Sequence, residues 1–108
     1  MEYNFIFDAS ANILRGEFTG RMDTIKSNGA LELFNRECEG LLNPGLSKNA
    51  VRICFDLKGV DYISSSFLRL CLTAAKAVRE GNFSIINTSP DILKVFKITG
   101  LDTALNIS

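Results

Sequence analysis

Val60-Asp61-Tyr62-Ile63-Ser64-Ser65-Ser66-Phe67-Leu68-Arg69-Leu70 changes its hydrophobic period part-way along, from a strand-like apolar run to a helical one. From Ser65 or Ser66 onward, Leu68, Cys71, Leu72, Ala75 and Val78 recur at three- and four-residue steps, which predicts a helix to about Arg79 with one buried face. Three consecutive hydroxyls mark the junction. A side-chain oxygen just ahead of a helix accepts an orphan N–H of the first turn, and one serine is enough for that. The other hydroxyls then stand at the positive end of the helix dipole, where an added phosphate is electrostatically favoured. A cap followed by a polar turn is the plainer reading of the same residues. If Leu68 faces the core, Phe67 is exposed at the first turn.

Upstream, Val51-Arg52-Ile53-Cys54-Phe55-Asp56-Leu57 is apolar on both faces, as in a central strand with helices on both sides of its sheet, and it reaches the junction through Lys58-Gly59. Downstream, Gly81 closes the helix and Phe83-Ser84-Ile85-Ile86-Asn87 forms another strand, so a right-handed crossover with parallel pairing is expected. Ser89 and Pro90 then open a third helix as N-cap and first helical residue. Ile92, Leu93, Val95 and Phe96 face inward, and Gly100 ends the helix before a final turn from Leu101.

At the other end, Tyr3–Phe7 and Ile13–Phe18 flank the turn-forming Asp8-Ala9-Ser10-Ala11-Asn12 and read as a β-hairpin, with Leu14, Gly16 and Phe18 on one face. Gly20-Arg21-Met22-Asp23-Thr24 reads as a turn, and Asp23 or Thr24 caps a helix to about Leu42 with Leu31, Phe34, Cys38, Leu41 and Leu42 as its stripe. Asn43-Pro44-Gly45 terminates it. The order ββαβαβα predicts one α/β sandwich domain over residues 1–108, with a mixed sheet of four to five strands, an antiparallel hairpin joined to parallel strands, and helices packed on it.

Composition narrows the chemistry. Twelve basic and twelve acidic residues in 108 give zero formal charge, so no overall field draws the chain to nucleic acid or an anionic membrane. The absence of histidine removes the commonest general base and metal ligand, and no glycine-rich phosphate loop is present. Cys38, Cys54 and Cys71 are dispersed within apolar patterns and read as reduced packing thiols of a cytoplasmic protein. No stretch approaches the ~20 apolar residues of a bilayer span. These features argue against an enzyme and against a cofactor or metal.

Phe55-Asp56-Leu57, Val60 to Ser66, Leu68-Arg69, the later Ile98-Thr99-Gly100-Leu101 and the upstream Gly20-Arg21-Met22-Asp23 together resemble a STAS domain, the fold of bacterial anti-sigma-factor antagonists. The resemblance runs from Phe5 to Leu105. It implies a non-catalytic binding module in which a serine opening the second helix is phosphorylated by an anti-sigma-factor-like kinase and restored by a phosphatase. That serine corresponds to Ser66, with Ser65 beside it. Phe67 replaces the family's glycine after the phosphoacceptor, and Ser64 replaces an acidic residue two positions before it. Asp23, Ser64, Phe67 and Arg69 are the expected partner-facing residues; Asp23 also suits a helix cap, and Arg69 a solvated face. The alternative is a constitutive scaffold subunit, without phosphorylation, of a stress-signalling complex or lipid-transport ATPase, with Phe67 as a permanent anchor. Either way no nucleic-acid contact or membrane insertion is implied, and the chain is expected to be a monomer or weak dimer.

Overall fold

The computed structural model describes residues 3–41, 51–78 and 81–107. Strand β1 (Tyr3–Asp8) pairs antiparallel with β2 (Ile13–Met22), as the hairpin reading expects. Asn12 takes a positive φ of 54° in the connecting turn, a conformation asparagine tolerates. The expected turn at Gly20 is instead strand: β2 continues to Met22, and helix α1 (Thr24–Leu41) starts directly after Asp23. Strand β3 (Arg52–Ile63) leads into α2 (Ser65–Ala77), β4 (Phe83–Ile86), α3 (Pro90–Ile98), α4 (Leu101–Ala104) and β5 (Asn106–Ile107). The sheet order is β1-β2-β3-β4-β5, with every pair after the first parallel. The expected helix stop at Asn43-Pro44-Gly45, and the residues Leu42 and Arg79, lie outside the described residues.

Because β2 to β5 follow one another in a single direction, right-handed crossovers place all their connecting helices on the same face of the sheet. Burial agrees. Leu14, Phe18, Ile53, Phe55, Phe83 and Ile85 join Phe34 of α1, Leu70 and Ala74 of α2, and Ile92 and Phe96 of α3 in one core. Ile6 is exposed, and Ile13, Cys54 and Ile86 of the opposite face are half-buried outside that core. The expectation of helices on both faces is therefore corrected. It came from the apolar run Val51–Leu57, where Asp56 is buried not by a helix but by its own polar partners.

Those partners tie three segments together. Asp56 Oδ2 accepts from Arg15 on β2 at 2.7 Å, while Oδ1 accepts from the Lys58 backbone N–H and from Asn87 Nδ2, each at 3.0 Å. Asn87 has φ 59°, so the same bond steadies a left-handed residue at the exit of β4. Burial alone would raise the Asp56 pKa; the bonds from Asn87, the Lys58 backbone and Arg15 outweigh it and hold the carboxyl below its usual 3.8. A carboxylate depressed in the folded state stabilises the fold above its unfolded pKa, and that stability is lost as pH falls through the folded value. Stability contributed by Asp56 is therefore expected to be complete near neutrality and to decline below about pH 4. Urea titrations should show Asp56→Ala costing about 1–3 kcal/mol at pH 7, with the gap to wild type closing in acid.

The inner face is an aromatic cluster built round Gly16. Phe18 meets Phe55 at 5.0 Å and Phe5 at 5.8 Å between centroids, and Phe55 meets Phe83 at 5.1 Å, in mostly edge-on contacts. A Cβ on Gly16 would lie 2.9 Å from Phe55 and 3.0 Å from both Phe18 and Phe5. Gly16→Ala is accordingly expected to destabilise by about 1–3 kcal/mol through overpacking, read as a lower urea midpoint, although alanine is the better strand residue elsewhere.

Candidate partner-binding site

The site begins with an irregularity in β3. Glu17 pairs with Asp56 and Thr19 with Gly59, then Gly20 with Val60 and Arg21 with Tyr62, so β3 carries one extra residue at each step. Such bulges increase twist and break the alternation of faces. Val60 and Ile63 are consequently both buried while Asp61 and Tyr62 between them are exposed. The strands come back into register at Met22 and Ile63, so the residues that follow, Asp23 and Ser64, open α1 and α2 side by side.

Ser64 is the N-cap of α2. Its Oγ accepts from the Phe67 backbone N–H at 3.3 Å, and its own N–H donates to the Met22 carbonyl at 3.0 Å. Ser27, fully buried in α1, donates its hydroxyl to the same Met22 carbonyl at 3.3 Å and lies 3.4 Å from Ser64 Oγ. With the Ser27 proton directed to Met22, the Ser64 hydroxyl is the donor to Ser27. Both hydroxyl protons in this buried knot then have an acceptor, and the two helix starts are joined through it. Asp23 caps α1, its Oδ1 accepting from the Lys26 N–H at 2.9 Å. Of the three serines, Ser65 is exposed and Ser66 half-buried, in the first turn beyond the cap.

Two expected partner-facing residues are corrected. Ser64 is 8% exposed and occupied by capping. Phe67 has no exposed surface: its ring packs edge-on against Phe18, with centroids 5.2 Å apart. The buried face of α2 is Phe67, Leu70, Cys71 and Ala74, rotated from the expected stripe, and Leu68, Leu72 and Ala75 are only half-buried. Asp23 is half-buried at the start of α1, and Arg69 is exposed on α2 one turn on from Ser65 and Ser66, so both reach the surface.

The sequence reading missed three contributors. Ser27 shares a three- and four-residue spacing with Ala30 and Phe34, a stripe hidden by counting only apolar residues. Ile25, in the first turn of α1, is 84% exposed, a large apolar side chain offered to solvent next to the capped ends. Arg21 lies over the Tyr62 ring at 3.9 Å, fixing the ends of β2 and β3 on the open side of the sheet.

Other reactive chemistry is sparse among the described residues. No group of three or more His, Cys, Asp or Glu side chains is placed to hold a metal ion, and no described helix is long and apolar enough to cross a membrane. Burial, with a smaller contribution from Glu37, pushes the Cys38 thiol up to about 11, and burial alone raises Cys71, so neither is a thiolate at neutral pH. A groove of about 670 Å³ between α2, α4 and β5 is lined by residues such as Leu72, Lys76, Phe83 and Asp102, towards the opposite end of α2 from the serines.

Comparison with known proteins now decides the family: a model of the STAS domain matches residues 7–108. The chain belongs to the STAS domain family. Over 66 residues it is 35% identical to BtrV of Bordetella bronchiseptica, a candidate anti-sigma factor antagonist. That alignment covers 59% of this chain and 57% of BtrV, so the chain matches under two thirds of that relative's length. The unphosphorylated form of the anti-sigma factor antagonist SpoIIAA superposes with a TM-score of 0.75 at 16% identity, covering 98% of this chain and 87% of that one, and so shares the fold. The mixed α/β architecture expected from the STAS resemblance is thereby established, with β5 as its fifth strand.

Proposed function

We propose that this STAS domain is a non-catalytic regulatory binding module of the anti-sigma-factor-antagonist type, switched by phosphorylation of Ser66, with Ser65 as the neighbouring acceptor. The observation that carries the reading is the division of labour among the three serines. Ser64 is buried and fully hydrogen-bonded, while the next two hydroxyls stand at the surface of a helix start that is locked in place from both sides. The name of BtrV and the likeness to SpoIIAA agree with such a role.

The switch acts on binding rather than on folding. A neutral hydroxyl can approach a partner without desolvating a charge, whereas its phosphate adds about −1.5 to −2 charge near pH 7. The helix dipole favours that phosphate by ~0.3–2 kcal/mol, and Arg69 stands three and four residues on from Ser66 and Ser65, so the modified domain stays folded. Docked against a partner's apolar or acidic surface, the same phosphate is repelled and costly to desolvate. Asp23, Arg69 and the exposed Ile25 would complete the contact surface, with Ile25 as its apolar anchor. The expected partners are an anti-sigma-factor-like serine kinase and an opposing phosphatase, with ATP and its metal held by the kinase, in the cytoplasm.

Phosphopeptide mapping of protein purified from its native cell tests the reading. A modified peptide containing Ser65 and Ser66, lost in Ser66→Ala, is expected; a chain unmodified there under all growth conditions would remove the switch. Phe67 as a surface anchor was one argument for the scaffold alternative, and the burial of that ring removes that argument.

A further inference from the structure

We propose that the protein self-associates through strand β1, pairing antiparallel with β1 of a second copy in the register that sets Ile6 against Ile6 across a two-fold axis. Among the described residues β1 ends the sheet, and its pairing with β2 runs through all six residues without a register break. Alternate backbone N–H and C=O groups of that straight edge therefore point away from β2. Edge strands are usually blunted by lysine, proline, a bulge or short length. Tyr3-Asn4-Phe5-Ile6-Phe7-Asp8 has none of these, whereas the opposite edge, β5, is only two residues long.

The side chains favour a second copy as the occupant. Centred on Ile6, the pairing sets Phe5 against Phe7 on the core side and Asn4 against Asp8 on the open side, so apolar meets apolar and amide meets carboxylate. Centred instead on Phe5, it sets the polar Asn4 against the apolar Ile6, a mismatched pair. Ile6 is 46% exposed, and the first register covers it with its own symmetry mate. Zero net charge means that two copies approach without mutual repulsion. An isologous contact of this kind closes at two copies and extends the sheet across the axis. Since α2 packs over β3 and β4, two strands in from that edge, each copy keeps its serine platform uncovered, and the dimer offers two partner sites.

Sedimentation equilibrium over a concentration series tests the proposal. A reversible dimer is expected for the wild type, weakened at least tenfold by Ile6→Lys, with an unchanged circular dichroism spectrum showing that the fold is intact. In a Cys38→Ser, Cys54→Ser background, Ile6→Cys should oxidise to a disulfide-linked dimer, because facing Cβ atoms across paired strands lie within about 4.5–5.5 Å, and Asn4→Cys should not. A wild-type chain that remains monomeric at every concentration overturns the proposal. So does an Ile6→Lys dimer as tight as wild type, or cross-linking of Asn4→Cys as fast as Ile6→Cys.

Discussion

Phe67→Ala is expected to lower the unfolding free energy by about 3–5 kcal/mol, seen in a denaturant titration as a large fall in midpoint with little change in slope. The ring is fully buried at the first turn of α2 and meets Phe18 edge-on, so its removal costs both the transferred apolar surface and the cavity left against the aromatic cluster. A marginally stable domain loses much of its folded population by such a change. Phe67→Leu retains most of the volume and should cost far less. The series separates two roles for the aromatic at the serine junction: a surface anchor would lose partner binding at little cost in stability, whereas a core ring loses stability first. An Ala variant as stable as wild type would contradict the packing described for α2.

That ring also shows where sequence patterns stop being informative. Helix α2 is apolar around much of its circumference, and the expected and observed buried stripes share Cys71 and Val78. Periodicity fixes that a helix is present but leaves its rotation open by about one residue, or 100°. What chooses Phe67 over Leu68 is its packing against Phe18 of β2, a long-range fact absent from any local window. The bulges in β3 are similarly hidden, because two extra residues between Asp56 and Ile63 scramble the alternation that would have shown one continuous strand. β5, at two residues, is too short for any period.

Local chemistry was more legible. The hairpin, the Ser89-Pro90 helix start and the helix stop at Gly100 were all readable from residue type, since each depends on its own backbone conformation and immediate neighbours. The serine junction was legible as a cap with surplus hydroxyls. Which serine did the capping was not, because Ser27 and Met22, on another element, decide it. Once Ser64 is fixed as the cap, the surface hydroxyls of the junction are Ser65 and Ser66.

The central claim is that a charge at Ser66 changes partner binding and leaves the fold intact. Isothermal titration of Ser66→Ala and Ser66→Asp against the cognate anti-sigma-factor-like kinase, with unfolding midpoints measured in parallel, tests it most directly. Ser66→Ala should bind as tightly as wild type and Ser66→Asp at least tenfold more weakly, a difference of about 1.4 kcal/mol or more, with nearly equal midpoints for all three proteins. Equal affinity for the kinase in Ser66→Ala and Ser66→Asp would contradict the account.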